Sequence, residues 1–131
     1  MIKFTKETII NLHDMLIKQT KGCEGIRDEG MLESAVECAF ATFDGQDLFP
    51  TTEEKGARLG LALVNNHAFV DGNKRTGTFV MLTFLDANGI KMSYTNEDVY
   101  SLGVSMATGE FKQENVLSWI EGHKIDKAPQ Q

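Results

Sequence analysis

The chain has 131 residues, of which 41% are hydrophobic, and its formal net charge at pH 7 is −6. This length can bury one core but not two, so we expect one domain over residues 1–125 and a frayed tail over residues 126–131. The acidic balance argues against a direct nucleic-acid partner, which normally needs a basic surface. No segment reaches the ~20 apolar residues that span a membrane, and the amino terminus lacks the apolar run of a secretion signal. A cytoplasmic protein is expected.

Apolar periodicity and cap residues predict six helices and no regular series of strands. They are expected over residues 5–20 (capped by Thr5 or Thr8), 28–40, 51–66, 73–87, from 95 or 96 past 106, and 113–122. Sparse proline and the lack of alternating strands and helices favour an all-α bundle in a single domain. Segment 22–28 or segment 90–94 can supply a short extended pair.

The first predicted helix has an apolar face and a polar face. The apolar face carries Ile9, Leu12, Met15 and Leu16. His13 falls on the opposite side, so we expect its imidazole to be solvated. His123 follows the last predicted helix and is expected only to complement the dipole at its C-terminus.

The most informative segment is residues 67–76, His-Ala-Phe-Val-Asp-Gly-Asn-Lys-Arg-Thr. The imidazole of His67 can accept a proton from a protein hydroxyl at neutral pH, which is the task of a general base in group transfer. Asp71 offers the hard oxygen that Mg²⁺ prefers, and Mg²⁺ usually bridges one or two carboxylates to substrate phosphates. Either residue alone is more often structural. Their combination with the residues that follow indicates phosphate chemistry.

The residues after Asp71 are predicted to form the start of a helix. Gly72 permits a tight turn, and the apolar run after it predicts a buried helix that begins near Asn73. The first turn of a helix offers unpaired N–H groups and the positive end of the dipole to an anion. Lys74 and Arg75 oppose the usual preference for acidic residues in that turn, so we expect them to meet an anion.

The segment resembles the signature loop of the Fic/Doc superfamily, and more narrowly of its death-on-curing (Doc) branch, whose pattern is His-x-Phe-x-Asp-Gly-Asn-Lys-Arg-Thr. The residues in register are His67, Phe69, Asp71, Gly72, Asn73, Lys74, Arg75 and Thr76. Segments 12–17, 25–35 and 60–66 also resemble Doc segments at those distances from the loop. The resemblance covers nearly the whole chain and implies a Fic/Doc-like helical bundle.

The resemblance also implies a catalytic set, which consists of His67, Asp71, Lys74 and Arg75. His67 is then the general base toward a Ser or Thr hydroxyl of a target protein, and Asp71 places Mg²⁺ on the phosphates of ATP. The nucleotide is expected to contact Gly72, Asn73, Lys74, Arg75 and Thr76. By resemblance to the prototype of the branch, the first target to expect is elongation factor Tu. Inhibition is expected from the disordered tail of a separate antitoxin.

Two departures from the broader Fic pattern lie where phosphates bind. Fic adenylyltransferases usually carry Gly-Asn-Gly-Arg and, three residues later, a second arginine, whereas this chain has Lys74 at the second glycine and Thr78 at the second arginine. A lysine that points into the loop fills space, and the lost guanidinium removes a bidentate phosphate clamp. In the Doc branch this departure goes with ATP bound in reversed orientation, so the resemblance implies a protein kinase that blocks translation. An adenylyltransferase and a non-catalytic helical binding module are the alternatives.

In the resembling family, the connection between the first two helices forms a flap that holds the target segment by strand addition. Residues 22–27 are the corresponding segment here, and we expect them to form a small β-hairpin. A plain glycine-rich connector fits the same residues equally well.

Overall fold

The structure, a computed structural model, describes residues 1–125. Its helices are α1 (Lys6–Thr20), α2 (Glu29–Ala39), α3 (Thr52–Asn65), α4 (Asn73–Ala87), α5 (Asn96–Ala107) and α6 (Gln113–His123). A two-stranded antiparallel hairpin, β1 (Thr42–Phe43) with β2 (Gln46–Asp47), lies between α2 and α3. The predicted all-α bundle is therefore confirmed for this part of the chain. The predicted frayed tail, residues 126–131, lies outside the described residues.

Cap residues explain where three of the helices begin. The side chain of Thr5 accepts a hydrogen bond from the first turn of α1. Thr51 and Thr95 form capping boxes with Glu54 and Asp98 at the starts of α3 and α5. A cap of this kind stabilises a helix by about 1 kcal/mol. The predicted starts at Thr51 and Thr95 are confirmed, and Thr5 rather than Thr8 caps the first helix.

Helices α3 and α4 form the centre of the bundle and approach each other closely. A Cβ on Gly77 of α4 would lie 2.7 Å from the main-chain nitrogen of Val64 in α3 and 3.1 Å from the main-chain oxygen of Gly60. Only a residue without a side chain fits that approach. Because His67 follows α3 and Asp71 precedes α4, the contact fixes both ends of the signature loop relative to each other.

All six helices contribute to the core. Its large, fully buried side chains include Ile9, Leu32, Leu59, Met81, Phe84, Leu85, Leu102, Met106 and Ile120. One predicted core position on α1 is wrong, because Met15 is 43% exposed. No helix within residues 1–125 is long and apolar enough to cross a bilayer.

The face that α1 turns inward differs from the predicted one. Its buried residues are Ile9, His13 and Ile17, which lie four residues apart and form one stripe along the helix. The expectation that His13 is solvated is therefore wrong, since its exposed fraction is 0%. The reason is that two stripes of α1 contain apolar residues, and the packing partner decides which of them is buried.

The hairpin lies in a segment for which no strand was predicted. Asp44 and Gly45 adopt positive φ values of 56° and 79°, and Asp-Gly is a favoured dipeptide for a two-residue hairpin turn. The buried ammonium of Lys55 donates to Asp47 Oδ2 across 2.9 Å and so fastens the hairpin to α3. Within the described chain, the flap segment 22–27 contains no hairpin.

Segments 22–28 and 90–94, either of which was predicted to supply an extended pair, each contribute one isolated β-bridge. Ile26 pairs antiparallel with Phe69, and Met92 pairs antiparallel with Lys124. In both cases the partner is a distant segment rather than the neighbouring residues. The flap segment is therefore joined to the signature loop itself.

Candidate active site

The predicted site residues line one cavity of about 520 Å³, which also borders the end of α1 and the flap segment. The lining includes His67, Asp71, Gly72, Asn73, Lys74, Arg75 and Thr76. A larger cavity of about 660 Å³ lies beside it and shares with it only Asn65. Because the larger cavity contains none of the predicted residues, chemistry rather than volume selects the smaller one as the candidate site.

The start of α4 borders this cavity with unpaired N–H groups. The first N–H of the helix to find a partner is that of Thr76, which donates to Gly72 O across 2.9 Å. The N–H groups of Asn73, Lys74 and Arg75 have no acceptor among residues 1–125. Gly72 precedes them with a φ of 81°, a left-handed conformation that glycine adopts without strain. Such a helix start binds anions through its N–H groups and its dipole.

Lys74 and Arg75 add two positive charges at this helix start. Neither forms an ion pair with any part of the chain that the structure describes. The Lys74 stem packs beside Gly103 of α5, and its Nζ lies 5.1 Å from the centroid of the Tyr100 ring. The expectation that this lysine points into the loop is therefore wrong, because α5 offers its stem a packing surface and its ammonium an aromatic face.

Thr78 occupies the position of the second Fic arginine and is 2% exposed. Its hydroxyl donates to Lys74 O across 2.8 Å. A Cβ on Gly103 would lie 3.0 Å from the same hydroxyl oxygen, so the side chain faces α5 closely. This position therefore presents no charged group to the cavity.

The carboxylate of Asp71 is oriented by two main-chain N–H groups. Oδ1 accepts a hydrogen bond from Gly72 across 2.9 Å, and Oδ2 accepts one from Cys23 across 3.1 Å. The residue is exposed, and a carboxylate keeps further lone pairs after two such bonds. No cluster of three His, Cys, Asp or Glu side chains in residues 1–125 could hold a metal by itself. One oriented carboxylate beside an anion site instead fits Mg²⁺, which shares its shell with waters and substrate phosphates.

The backbone of His67 is held in an uncommon conformation, with a φ of 54°. Its main-chain oxygen accepts a hydrogen bond from Arg27 Nε across 2.8 Å. The next carbonyl, that of Ala68, accepts from the N–H groups of Arg27 and Asp28 at 2.7 and 2.9 Å. These bonds offset a backbone strain of order 1 kcal/mol or more. The imidazole itself is exposed on the cavity.

The side chains of Asn73 and Thr76 are turned to the protein rather than to the cavity. Asn73 Oδ1 accepts from Phe69 N–H and its Nδ2 donates to Phe69 O, each across 2.9 Å, so the amide closes the loop onto itself. Thr76 is 1% exposed, and its hydroxyl has no partner within residues 1–125. For Asn73, the group left for an anion is the main-chain N–H.

Sequence reasoning missed two residues that support the loop, Arg27 and His13. Arg27 lies 40 residues before the carbonyl of His67 that it contacts, so no local pattern reveals the pair. His13 Nε2 lies 2.8 Å from Asp71 O, and its ring is parallel to that of Phe69 at a centroid distance of 3.7 Å. The available signal was its four-residue spacing from both Ile9 and Ile17.

Comparison with known proteins identifies the family of the chain. The profile of the Fic/DOC family matches residues 3–85, which is more than half of the chain. A protein named Toxin Doc from Mycolicibacterium smegmatis is 44% identical over 68 residues. That match covers 52% of this chain and 52% of the relative, so the chain spans about half the length of the curated relative it matches. The resemblance expected from the signature loop is confirmed, and by its name this relative is a member of the expected Doc branch. The chain belongs to the Fic/DOC family.

Proposed function

We propose that this chain is a Doc-type toxin of a toxin–antitoxin pair, and that it transfers the γ-phosphoryl group of ATP to a Ser or Thr hydroxyl of a target protein. One observation carries the proposal: a single cavity joins an exposed imidazole, an oriented carboxylate and a cationic helix start with unpaired N–H groups. The similarity to a protein named Toxin Doc supports the toxin assignment. Elongation factor Tu is the first candidate target, which would place the reaction in the cytoplasm.

In the proposed reaction, the target hydroxyl oxygen attacks the γ-phosphorus of ATP. A new O–P bond forms while the bond between the γ-phosphorus and the bridging oxygen to the β-phosphate breaks, and ADP leaves with that electron pair. His67 accepts the hydroxyl proton, because its exposed ring has no competing partner among the described residues. The N–H groups at the start of α4, with Lys74 and Arg75, stabilise the charge on the transferring phosphoryl oxygens.

Asp71 is the residue that would hold Mg²⁺. When bound, the ion neutralises charge on the donor phosphates as a Lewis acid. The hydrogen bonds from Gly72 and Cys23 hold the carboxylate in one orientation before any donor arrives. A preorganised ligand of this kind needs no rearrangement at the moment of reaction.

A second candidate is the transfer of AMP. The Fic pattern for that reaction includes a second arginine on the loop helix, whereas here Thr78 is buried against α5. Without this arginine, the site has one bidentate contact fewer for the phosphates of the donor. We therefore favour phosphoryl transfer. A non-catalytic binding module is disfavoured because it has no need of His67 and Asp71 exposed in one cavity.

Isotope labelling tests the proposal. The purified protein is incubated with Mg²⁺ and with ATP labelled at either the γ- or the α-phosphate, first with elongation factor Tu and then with a bacterial lysate. We expect protein-bound label from the γ-position alone, and none from the His67→Ala variant. Label from the α-position would make the chain an adenylyltransferase. Label from neither position would favour the binding module or a different donor.

A further inference from the structure

We infer that His13 is a positioning residue that sets the peptide plane between Asp71 and Gly72, and through it the orientation of the Asp71 carboxylate. The effect of His13 on phosphoryl transfer rests on the proposed function, whereas its effect on the loop backbone does not. His13 contributes no atom to the cavity lining. Its role would therefore be exerted through the loop backbone.

The surroundings of His13 define which atom donates. The side chain is fully buried, and Nε2 lies 2.8 Å from Asp71 O. A carbonyl oxygen can only accept, so Nε2 carries the proton of this bond. Nδ1 lies 3.2 Å from Asp14 Oδ1, and the ring stacks on Phe69 at an interplanar angle of 4°. The ring is thus held by contacts on its edge and on its face.

The peptide geometry transmits this contact to the carboxylate. The bond between Asp71 and Gly72 is trans, so its C=O and N–H groups point in opposite directions. With the carbonyl held by His13, the N–H points away from α1 and donates to Asp71 Oδ1 across 2.9 Å. Rotation of this plane would withdraw the N–H from the carboxylate and turn a carbonyl oxygen away from its buried donor. Either change would weaken an anion and Mg²⁺ site.

Close packing leaves the plane little room to rotate while His13 is present. A Cβ on Gly72 would lie 2.9 Å from Ile17 Cδ1 and 3.8 Å from His13 Nε2. The glycine therefore rests directly on the inward stripe of α1. A change at position 13 alters the hydrogen bond, the stacking, or both, and these two contributions can be separated by the choice of variant.

Two variants separate them. His13→Phe keeps an aromatic ring against Phe69 but has no donor, whereas His13→Gln keeps an N–H donor without the ring. The first readout is the amide ¹H–¹⁵N resonance of Gly72, and the second is the affinity for Mg²⁺–ATP measured by calorimetry. We expect His13→Phe to shift the Gly72 resonance and to weaken the affinity about ten-fold, the equivalent of one net hydrogen bond. His13→Gln should recover most of both.

A double-mutant cycle then asks whether His13 acts through Asp71. In an Asp71→Asn background, His13→Phe should cause little further loss of affinity. An unchanged Gly72 resonance in His13→Phe, equal losses in both His13 variants, or additive losses in the cycle would each overturn the inference. If His13→Phe does not fold, His13→Gln and Phe69→Leu decide, since both keep the donor. A wild-type Gly72 resonance in both would then support the inference, and a shifted resonance in either would overturn it.

The experiment also separates this inference from the proposed function. If the chain transfers no phosphoryl group, the wild-type protein fails to label its target, yet the Gly72 resonance still responds to His13→Phe. If transfer occurs and the resonance does not respond, His13 is only a core residue.

Discussion

The main-chain N–H of Cys23 donates a hydrogen bond to Asp71 Oδ2 across 3.1 Å and across 48 residues of sequence. It connects the flap segment, residues 22–27, directly to the carboxylate proposed to hold Mg²⁺. The bridge between Ile26 and Phe69 is a second connection between the same two segments. The flap segment therefore borders the candidate site, to which Gly22 contributes, and the capture of a target strand by this segment stays a prediction.

Gly22 is required where the flap backbone comes closest to Asp71. A Cβ at this position would lie 2.8 Å from Asp71 Oδ2 and 3.0 Å from Ile17 Cδ1. We expect Gly22→Ala to displace the carboxylate and to lower the rate of phosphoryl transfer roughly 10²-fold, since small misplacements at a reacting centre have effects of this size. The control is Gly122→Ala, at a position on α6 where the added Cβ would meet no atom within 4 Å apart from the adjacent residues and the helix's own backbone. Equal transfer rates for both variants would mean that the close approach of Gly22 to Asp71 does not matter for transfer.

Asp71→Asn should change the dependence of the transfer rate on Mg²⁺ more than it changes the fold. The amide keeps an acceptor oxygen but loses the charge, so we expect the Mg²⁺ concentration for half-maximal transfer to rise roughly ten- to hundred-fold. Titration of transfer rates with Mg²⁺ measures this. Asp86→Asn is the matched control, because its carboxylate pairs with Lys91 at 3.3 Å and does not line the cavity. An unchanged Mg²⁺ dependence in Asp71→Asn would remove this residue from the metal site.

His67→Ala should remove the general base. We expect initial rates of transfer to fall roughly 10²- to 10⁴-fold, the range for loss of such a group, with an unchanged far-ultraviolet circular dichroism spectrum. The control is His123→Ala, whose ring stacks on Trp119 at the end of α6, outside the cavity. Transfer at the wild-type rate by the His67 variant would mean that another group takes the proton.

Lys74→Met isolates the charge of this lysine from its packing. The thioether side chain can still lie beside Gly103, as the lysine stem does, but it offers no ammonium to a phosphate. We expect the affinity for ATP to fall about ten-fold, and its dependence on salt concentration to become shallower. Lys91→Met serves as the control for loss of one positive charge elsewhere. If both variants bind ATP equally well at every salt concentration, Lys74 makes no phosphate contact.

Glu53 should contribute to the pH dependence of stability. Burial is the largest influence and raises the pKa of its carboxyl. The hydrogen bond from Lys124 Nζ at 2.7 Å, a hydrogen bond from the main-chain N–H of Glu53 and the positive charge of Lys124 together outweigh burial, so the pKa lies below its ordinary value of 4.5. A carboxyl with a lowered pKa in the folded state stabilises the protein above its unfolded pKa, and this contribution is lost as the pH falls through the folded value. We therefore expect the free energy of unfolding to fall below about pH 5 by more in the wild-type protein than in Glu53→Gln.

Denaturant titrations across this pH range measure the difference. Glu121→Gln is the control, since Glu121 also pairs with Lys124, at 3.5 Å, but is 60% exposed. An exposed pair of this kind contributes little, so this variant should follow the wild-type curve. The same pH dependence in Glu53→Gln and the wild-type protein would contradict the lowered pKa.

Local signals explain why the helices were predictable. The capping box of Thr51 with Glu54 and the apolar run of α4 (Asn73–Ala87) are encoded within a few residues, and both were found. The Asp44–Gly45 turn is an equally local signal, but no hairpin was predicted from it. The sequence also placed His67 just past α3 and Asp71 just before α4, which brings both to one cavity.

The contacts that support the signature loop could not be predicted from local signals, because each of them depends on a segment that is distant in sequence. The inward face of α1 is selected by the loop that packs on His13, and the path of Lys74 is selected by Tyr100 on α5. Arg27 precedes α2 and His67 follows α3, so their contact depends on how these two helices pack against each other. Periodicity within one helix carries no information about such partners.

The most direct test of the proposed reaction is the mass of the target protein after incubation with this chain, Mg²⁺ and ATP. Elongation factor Tu is examined first, and otherwise the protein that takes up label in a lysate. We expect each modified molecule to gain the mass of one phosphoryl group on a Ser or Thr residue, and to gain nothing when His67→Ala replaces the wild-type chain. A gain equal to one AMP group would contradict the donor orientation inferred from Thr78.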